Sequence, residues 1–312
     1  MIWLIGAGGM SVDYAKVLTA LGKEFIVIGR GEESAKKFQA ETGRSVVVGG
    51  LDNFLSTSPQ LPEAVITSVG IEQLCGTSIQ LLEYGVRKLL VEKPGGLTLD
   101  EIKNLNFCCL ERKADMYIAY NRRFFSSVLK AQELIEQDGG VTSFNFELTE
   151  WSHVIGNLDK KPKVLERWFL GNSTHVADLA FFLGGAPKEL SCFTSGTLAW
   201  HPSSSTFSGA GISEKGALFN YGADWESAGR WSVEVLTNKN RYILRPMEAL
   251  ALQKRGTIKQ EPVLIDDELD KEFKPGLYKQ VEDFLGRCSK NLCAISEQLA
   301  LFSVYERMAG YK

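Results

Sequence analysis

The sequence lacks the features that mark membrane, secreted and metal-binding proteins. No apolar stretch approaches the roughly 20 residues needed to span a bilayer, so a membrane protein is not expected. The first apolar run, residues 2–5, follows Met1 directly and leaves no room for a secretory signal peptide, which predicts a cytoplasmic protein. The six cysteines form no CxxC pair and lie at no metal-ligand spacing from a histidine. Reduced, mostly buried thiols are therefore expected, and no metal site is predicted.

An excess of charge of one sign is also absent. The chain has 35 Lys and Arg against 38 Asp and Glu, and no basic stripe interrupts this balance. It therefore offers no electrostatic footprint for nucleic acid. What is present is the composition of an ordinary globular protein, 44% hydrophobic and 23% charged, in 312 residues that suit two domains.

The distribution of apolar runs predicts an α/β fold. Residues 1–119 alternate short apolar runs with longer amphipathic segments, which is typical of βαβ units on a parallel sheet. The predicted strands are 2–5, 25–28, 64–68, 89–91 and 116–119, and the predicted helices are 11–21, 33–41, 76–84 and 99–113. We expect an N-terminal Rossmann domain over residues 1–119.

The remaining residues, 120–312, are predicted to form a C-terminal α/β domain with a mainly antiparallel sheet. It begins with a predicted helix over 126–137, and longer β-rich runs follow from about residue 141. The predicted strands are 142–149, 190–197, 218–223 and 232–237, and two more helices are predicted over 275–287 and 296–308. The Ser- and Gly-rich stretch 203–213 is predicted to be a turn or mobile loop.

A glycine-rich turn follows the first predicted strand. Gly6-Ala7-Gly8-Gly9-Met10-Ser11 leads from this strand into a predicted helix, the context that a dinucleotide-binding GxGxxG motif requires. Gly6 permits the tight turn, Gly8 lets the backbone approach the pyrophosphate, and helix N-terminal amides meet its charge. Ser11 replaces the usual third Gly or Ala and weakens the match. The predicted cofactor contacts here are Gly6, Gly8, Gly9 and Met10; a flavin-binding or nucleotide-free Rossmann fold is the alternative.

The end of the second predicted strand bears on the choice between NAD and NADP. An Asp or Glu about 20 residues after the glycines usually binds the ribose 2′-hydroxyl of NAD, whereas this sequence has Gly29-Arg30 there. A guanidinium binds phosphate in a bidentate manner, so NADP is predicted, with NAD as the second candidate. Ser34 and Ser68 are expected to add contacts. The alternative is that Arg30 is a solvated turn residue.

An ionisable pair follows the fourth predicted strand, in Glu92-Lys93-Pro94. This position lies at the edge of the sheet where open α/β proteins bind ligands. A lysine partly buried beside a cationic nicotinamide would have its ammonium form disfavoured, which suits it to proton transfer. By itself, a lysine at a strand end is usually a solvated side chain.

Four motifs, taken in order, give the sequence a family resemblance. They are the glycine turn, Glu92-Lys93-Pro94, Tyr120-Asn121-Arg122-Arg123-Phe124 and His175-Val176-Ala177-Asp178. With them the chain resembles the Gfo/Idh/MocA oxidoreductases, which act mostly on sugars, cyclitols and nucleotide sugars. The resemblance implies a Rossmann domain that binds the cofactor and a C-terminal domain that binds substrate and forms a homo-oligomer through its antiparallel sheet.

The resemblance also assigns roles to single residues. It implies that Lys93 transfers the proton and binds the substrate hydroxyl, and that Glu92 and the following proline hold Lys93 beside the nicotinamide. The Lys-Pro peptide is often cis in the family. His175 is implied to lie opposite Lys93 as a second acid/base or hydroxyl-binding group. A buried core histidine is the alternative, but the chain has only three, the others being His153 and His201.

One position departs from the family pattern. Many members carry an Asp four residues before the histidine, and here Gly171 stands there, followed by Asn172. Asn172 binds a hydroxyl but cannot take a proton. Either Lys93 and His175 suffice for catalysis, or the substrate is bound differently. Asp178, one helical turn after His175, is a candidate to orient its imidazole, or it is only a polar contact of the helix.

Arginines and tryptophans near these motifs are candidate substrate contacts. Indole faces suit the C–H surfaces of sugars, and guanidiniums bind carboxylate or phosphate. Surface salt bridges and core aromatics are the alternatives for each of them. The predicted substrate-binding residues are Lys93, Arg122, Trp151, Arg167, Trp168, Asn172 and His175, with Arg123 as a further candidate.

The sequence thus predicts an NAD(P)-dependent dehydrogenase or reductase acting on a secondary alcohol or ketone of a sugar, cyclitol or nucleotide sugar. A non-catalytic dinucleotide- or sugar-sensing protein on the same scaffold is the main alternative, because a fold does not guarantee activity and the usual Asp is missing at Gly171. An imine or enone reductase is a third hypothesis.

Overall fold

The computed structural model describes residues 1–286 and 289–311. The chain divides into two compact units, the first comprising Met1–Asn121 and Leu269–Ala300 and the second Arg122–Glu268 and Leu301–Lys312. The first division falls close to the predicted boundary after residue 119. The second unit is not the continuous stretch 120–312, because residues 269–300 return to the first unit.

Strands and helices alternate through the first 121 residues. The strands are β1 (Ile2–Ile5), β2 (Phe25–Ile28), β3 (Val46–Val47), β4 (Ala64–Thr67), β5 (Lys88–Glu92) and β6 (Asp115–Ala119). The helices are α1 (Gly9–Ala20), α2 (Glu32–Thr42), α3 (Gly50–Ser56), α4 (Leu74–Tyr84) and α5 (Leu99–Arg112). The strands pair in parallel in the order β3-β2-β1-β4-β5-β6, so the predicted Rossmann-type sheet is confirmed.

Local signals account for the ends of these helices. Thr98 and Glu101 form a capping box at the start of α5, in which each side chain accepts a hydrogen bond from the other residue's backbone N–H. Helix α2 ends at Gly43, whose φ of 71° is the left-handed conformation that favours glycine. Strands β1 and β4 are buried along their whole length, as expected in the centre of a parallel sheet.

An eight-stranded sheet organises the second unit. Its helices are α6 (Ser126–Gln137), α7 (Ser152–Ile155), α8 (Pro162–Glu166) and α9 (Thr174–Gly184), and a π-helical turn, Phe169–Ser173, leads into α9. Its strands are β7 (Ser143–Glu147), β8 (Pro187–Ser195), β9 (Thr206–Ser213), β10 (Leu218–Asp224), β11 (Ser232–Leu236), β12 (Asn240–Leu244), β13 (Ala251–Lys254) and β14 (Gln260–Pro262). The order is β14-β13-β12-β11-β7-β10-β9-β8, and all neighbours except β7 and β10 are antiparallel. The predicted mainly antiparallel sheet is confirmed.

Aromatic rings form the core between this sheet and α9. Phe144 and Phe146 of β7 meet Phe181 of α9 with ring centroids 6.4 and 5.6 Å apart. Phe219 of β10 stacks on Phe144 at 5.1 Å. A Cβ on Gly184 would lie 2.2 Å from the Phe144 ring, so only glycine lets the end of α9 approach β7 this closely.

The prediction of a loop over 203–213 is wrong, because β9 occupies most of it. Gly209 and Gly211 alternate with outward residues along β9, and a Cβ on either would lie 2.5 Å or less from an aromatic ring or a backbone oxygen of β8. These glycines therefore mark close packing inside a sheet, although glycine is usually a loop signal. The physical reason for the error is that the residues that need the space, Phe219 and Tyr221, lie on a neighbouring strand.

The C-terminal segment completes both units. It contains α10 (Glu268–Glu272), α11 (Leu277–Leu285), β15 (Cys293–Ala294) and α12 (Ile295–Ala309). Strand β15 pairs antiparallel with β6 at the edge of the first sheet. The helices predicted over 275–287 and 296–308 correspond to α11 and α12, although residue 287 lies outside the described residues.

The thiols match the expectation from the sequence in the part of the chain that the structure describes. Cys75, Cys108, Cys109 and Cys293 are buried, Cys192 is half-buried, and all five are free thiols. Burial raises the pKa of the Cys75 thiol to about 11 and that of Cys109 to about 12, so both stay protonated at neutral pH. Cys288 lies outside the described residues.

A buried histidine ties the C-terminus to the second unit. The His201 Nε2 atom lies 2.8 Å from the Tyr311 hydroxyl, and Nδ1 lies 2.7 Å from the backbone oxygen of Ser204. The Phe169 N–H donates to the same tyrosine hydroxyl at 3.2 Å. Burial lowers the pKa of His201, so a neutral ring that donates from Nδ1 and accepts at Nε2 satisfies all three contacts.

Replacement of Tyr311 with phenylalanine is expected to lower the free energy of unfolding by about 1–3 kcal/mol, because it leaves two buried polar partners unsatisfied. Urea denaturation followed by far-UV circular dichroism measures this loss. Tyr278→Phe is the matched control, since Tyr278 is half-buried against Phe273 and its change should cost less than about 0.5 kcal/mol. Equal stability of the two variants would contradict the role given to Tyr311.

Candidate active site

A cavity of about 820 Å³ opens at the carboxyl ends of β1, β2 and β4. This volume is within the range of cofactor pockets, and the edge is the one where open α/β sheets bind ligands. Six predicted cofactor contacts line it: Gly6, Gly8, Gly29, Arg30, Ser34 and Ser68. Four other predicted contacts, Gly9, Met10, Glu92 and Lys93, are not among its lining residues.

Glycine stands at positions 6 and 8 of the turn for different physical reasons. Gly6 has a φ of 118°, and a Cβ there would lie 2.5 Å from the backbone oxygen of Ser68. A Cβ on Gly8 would meet nothing within 4 Å. Gly6 is therefore required by the fold, whereas the open space beside Gly8 leaves the backbone accessible to a ligand. Helix α1 begins there with no side-chain cap, so its first amides remain available to a phosphate.

Ser11 departs from the glycine motif, and its side chain has a hydrogen-bond partner at the end of β4. Its hydroxyl lies 2.7 Å from the hydroxyl of Ser68, and both side chains are buried. The Ser68 hydroxyl also lies 3.4 Å from the backbone oxygen of Ile5. The serine thus fills the small-residue position of the motif with a hydrogen bond that joins α1 to the end of β4, and the turn keeps its shape.

Arg30 lies exposed at the rim of the cavity, and a second glycine pair shapes its backbone. The Gly50 N–H donates to the backbone oxygen of Gly29 at 2.9 Å. Gly49 and Gly50 have φ angles of 107° and 84°, a left-handed conformation that suits glycine. The Ser34 hydroxyl donates to the backbone oxygen of Gly31 at 3.0 Å, so it must leave this bond before it can donate to a phosphate.

Sequence reasoning missed a carboxylate on the same cavity. Asp52 of α3 lines it together with Arg30 and accepts a hydrogen bond from Gln80 of α4. The only signal for α3 was the Gly49-Gly50 pair, which marks a turn without predicting a helix after it. The cavity therefore carries both signs of charge, a cation and an anion.

The Glu92-Lys93-Pro94 motif forms a tight turn at the end of β5. The Lys93–Pro94 peptide is cis, and the Gly95 N–H donates to the backbone oxygen of Glu92 at 3.0 Å. The Tyr14 hydroxyl of α1 donates to Glu92 Oε1 at 2.7 Å. Burial raises the pKa of Glu92, while this hydrogen bond and the Lys93 charge oppose the rise. Glu92 thus links the turn that carries Lys93 to the helix that follows the glycine turn.

Lys274, in the C-terminal segment that belongs to the first unit, adds a cation to this edge of the first sheet. Lys274 Nζ lies 3.0 Å from Met10 Sδ and 3.6 Å from Asp13 Oδ2, both on α1. Its charge also acts to lower the pKa of Glu92. No sequence signal could find Lys274, because its proximity depends on the return of residues 269–300 to the first unit.

In the second unit, two predicted substrate contacts, Arg122 and His175, lie against the indole of Trp231, and two more, Trp151 and Asn172, are linked to it through Arg230 and Glu150. We name these residues and their partners the Trp231 cluster: Arg122, Glu150, Trp151, Asn172, Ser173, His175, Arg230 and Trp231. The guanidinium carbons of Arg122 and Arg230 lie 4.7 and 4.3 Å from the Trp231 ring centroid. The His175 ring lies 6.2 Å from it, and Arg230 is also 4.9 Å from the Trp151 ring. Sequence reasoning missed Glu150, Arg230 and Trp231.

Glu150 brings a buried carboxylate into the region where the family pattern has its Asp. Its Oε1 accepts hydrogen bonds from the Asn172 amide and the Ser173 hydroxyl, both at 2.8 Å, and Arg230 lies 3.3 Å from Oε2. Burial raises the pKa of Glu150, and these three partners act against the rise. Glu150 thus supplies, next to Asn172, the carboxylate that is missing at position 171.

Asp178 has a structural partner that the sequence did not indicate. Both of its carboxylate oxygens accept hydrogen bonds from Arg123, at 2.8 and 2.5 Å, and both side chains are buried. The bidentate pair favours a structural role for Asp178 over the hypothesis that it orients His175. Arg123, the further substrate candidate, is engaged by the same pair.

Arg167 and Trp168 have their described contacts elsewhere. The Arg167 guanidinium lies 4.5 Å from the Tyr311 ring and 3.6 Å from Glu306, and Trp168 packs edge-on against Trp200 at 6.4 Å. These partners belong to the C-terminal helix and its surroundings. They favour the alternative of core and salt-bridge residues for both side chains.

Two further findings concern the described residues. Residues 1–286 and 289–311 contain no group of three or more His, Cys, Asp or Glu side chains that could hold a metal ion. Within the same ranges, no helix is both long and apolar enough to cross a membrane.

Comparison with known proteins identifies structural neighbours. Neither a scan against protein-family models nor a search of curated proteins finds a match. Among solved structures, UDP-N-acetylglucosamine 3-dehydrogenase GnnA from Acidithiobacillus ferrooxidans is similar, at 17% identity and a TM-score of 0.75 over 99% of this chain and 97% of that one. Levoglucosan dehydrogenase in complex with NADH gives 15% identity and a TM-score of 0.79, over 99% and 96% of the two chains.

The WlbA dehydrogenase from Chromobacterium violaceum, in complex with NADH and UDP-GlcNAcA, is a third neighbour. It gives 14% identity and a TM-score of 0.72, with 98% of this chain and 92% of that chain covered. At such identities the likeness establishes a shared fold across both units.

Proposed function

We propose that the protein is a nicotinamide-dependent oxidoreductase of the Gfo/Idh/MocA type, acting on a secondary alcohol or ketone of a sugar, cyclitol or nucleotide sugar. One observation carries the proposal. The carboxyl edge of a parallel sheet presents both a glycine-lined cavity of about 820 Å³ and, on the neighbouring strand β5, the turn that holds Lys93. The structural neighbours with the same fold are dehydrogenases, two of them in complex with NADH, which supports it.

The cavity residues fit a dinucleotide. The open space beside Gly8 and the uncapped first turn of α1 suit a pyrophosphate, whose charge the amides would meet. When bound, a nicotinamide supplies the hydride donor or acceptor of the reaction. The first unit is thus the proposed cofactor domain, and the second, with the Trp231 cluster, the proposed substrate domain.

Each proposed catalytic residue has a task that its chemistry allows. In the oxidative direction Lys93 accepts the proton of the substrate hydroxyl, and in the reductive direction it returns it. His175, in the second unit, is the proposed hydroxyl-binding partner of the substrate, and Asn172 adds a second polar contact. Glu92, held by Tyr14, positions the turn that carries Lys93. Homo-oligomerisation through the second sheet, which the family resemblance implies, and a cytoplasmic location are part of the same proposal.

NADP is the proposed cofactor, because Arg30 lies exposed on the rim of the cavity. Arg30→Ala is expected to weaken NADPH binding by about tenfold or more, the loss of charge-assisted hydrogen bonds to a phosphate, and to change NADH binding little. Isothermal titration calorimetry with both cofactors measures the ratio. Asp52→Asn is the matched variant on the same cavity, and it should strengthen NADPH binding by removing a negative charge. Unchanged NADPH affinity in Arg30→Ala would refute the preference.

Turnover separates this proposal from the non-catalytic alternative, which the glycine at position 171 favours. The protein is incubated with NADP and, in turn, with polyols, aldoses and nucleotide sugars, and absorbance at the wavelength of the reduced cofactor is followed. An oxidoreductase produces reduced cofactor with at least one class. Tight cofactor binding without turnover of any of them would favour a sensor.

A further inference from the structure

Arg230 is held in one position by three neighbours. Its guanidinium carbon lies 4.3 Å from the Trp231 ring and 4.9 Å from the Trp151 ring, and Nη1 lies 3.3 Å from Glu150 Oε2. The side chain is nevertheless 47% exposed. A guanidinium carries five N–H donors, and in the described part of the chain Glu150 engages it at Nη1, so several donors remain for a ligand.

The same glutamate fixes the amide of Asn172. Because the Nδ2 group donates to Glu150 Oε1, the Oδ1 atom must point the other way. Residues 1–286 and 289–311 provide no donor to Oδ1. Ser173 donates to the same glutamate oxygen and restrains it further. The amide therefore presents a fixed acceptor, which suits the hydrogen of a hydroxyl group.

The indole of Trp231 provides an independent sign of a ligand. The side chain is 6% exposed, and its Nε1 atom is buried without a hydrogen-bond partner among the described residues. A buried N–H that lacks an acceptor costs about 1–3 kcal/mol, so such groups usually receive a partner from a ligand or a bound water. The indole of Trp151, which is 49% exposed, is also suited to the C–H surface of a pyranose ring.

We propose that Arg230, Asn172 and Trp231 form a recognition site for an acidic sugar, with Glu150 as the residue that positions Arg230 and Asn172. Arg230 binds a carboxylate or phosphate group, Asn172 Oδ1 accepts a hydrogen bond from a sugar hydroxyl, and Trp231 Nε1 donates to a ligand oxygen. The planar fork of an arginine matches both anions in a bidentate manner. This assignment rests on the proposed function, whose substrate class it narrows.

Three probes and calorimetry test the site. D-glucuronate, D-glucose 6-phosphate and D-glucose are titrated into the full chain, with and without saturating NADPH. We expect one or both acidic sugars to bind about tenfold or more tightly than glucose, the effect of a charge-assisted pair. Tighter binding of glucuronate identifies a carboxylate as the natural group, and tighter binding of glucose 6-phosphate identifies a phosphate.

Substitutions then test whether Arg230 causes the preference for acidic sugars over glucose. Arg230→Gln should abolish the preference for acidic sugars, whereas Arg44→Gln, which removes a guanidinium stacked 4.4 Å from Phe25 in the first unit, should keep it. Because Arg230→Gln leaves the buried Glu150 without its cation, the double variant Glu150→Gln/Arg230→Gln is made as well. Neither position 150 nor position 230 carries a charge in the double variant, and it should also lose the preference.

Each contrary outcome is decisive. Equal affinity for glucose, no binding of either acidic sugar, or a preference that survives in a folded Arg230 variant would overturn the proposal. Failure of NADPH to bind the wild-type chain would instead contradict the proposed function. The titrations without NADPH report on the sugar site alone, so the two failures remain distinct.

Discussion

Lys93→Met is expected to slow turnover by about 100-fold or more, while it preserves folding and most of the cofactor affinity. Methionine keeps a similar apolar length but can neither exchange a proton nor hydrogen-bond a reacting hydroxyl. Lys93 lies beyond the lining of the glycine cavity, in a turn fixed by the Gly95 N–H bond to the Glu92 carbonyl. Its replacement should therefore remove a reaction step and leave the cavity unchanged.

A second variant sets the order of the two catalytic candidates. His175→Asn should cost less than Lys93→Met, because we assign proton transfer chiefly to Lys93 and substrate orientation to His175. Single-turnover rates of both variants, once a substrate is in hand, measure the ratio. Near-wild-type rates for Lys93→Met would exclude the mechanism, and a larger loss for His175→Asn would reverse the roles.

Asp178→Asn is expected to destabilise the protein by about 3–5 kcal/mol, because it removes the buried carboxylate charge that accepts two hydrogen bonds from the Arg123 guanidinium. The two side chains are 1% and 2% exposed, and the carboxylate accepts two hydrogen bonds from the guanidinium. Guanidinium chloride denaturation gives the change in the free energy of unfolding.

A double variant distinguishes the removal of the whole Arg123–Asp178 ion pair from the removal of the Asp178 charge alone. Arg123→Met/Asp178→Leu removes both charges and keeps apolar volume, so it should be markedly more stable than Asp178→Asn. If Asp178 instead orients His175, Asp178→Asn would keep its stability and lose activity. That outcome would favour orientation of His175 over the structural role.

The first sheet could be predicted from the sequence because its signals are local. Burial on both faces gives β1, β2, β4 and β5 nearly continuous apolar runs, and the predicted strands coincide with these elements within a few residues. Strands β3 and β15 escaped prediction because each has only two residues. Helix α3, with seven residues, begins at the second of two glycines that resemble a loop signal.

The sequence predicts the mainly antiparallel type of the second sheet, but it does not predict every strand. Alternation along the strand identifies β7 and β10, whose buried positions hold Phe144 and Phe146 in β7 and Phe219, Tyr221 and Ala223 in β10. In β9 the two positions that face the rings of Phe219 and Tyr221 hold glycines, Gly209 and Gly211, because these rings from β10 occupy the space. The information that makes residues 206–213 a strand therefore lies in another part of the sequence.

The residues of the candidate site also fall into two groups, those that the local sequence predicts and those that it does not. The glycine turn, Arg30 and the Lys93 turn are each encoded by contiguous residues, so local reasoning reached them. Glu150, Arg230 and Lys274 have no motif, and their importance arises from packing between distant segments. The departure at Gly171 was visible, but its counterpart at Glu150 was not, because a carboxylate 21 residues earlier in sequence reaches Asn172 only in the folded chain.

Transfer of deuterium from the cofactor to a sugar carbon tests the central claim most directly. The wild-type protein is loaded with NADPH that carries deuterium at both C4 positions, incubated with keto sugars and keto nucleotide sugars, and the products are analysed by mass spectrometry. An oxidoreductase of the proposed type places one deuterium on a carbon that bears a hydroxyl group, and Lys93→Met does so at least about 100-fold more slowly. Bound cofactor with no deuterium in any product would contradict the account and favour a sensing role for the same fold.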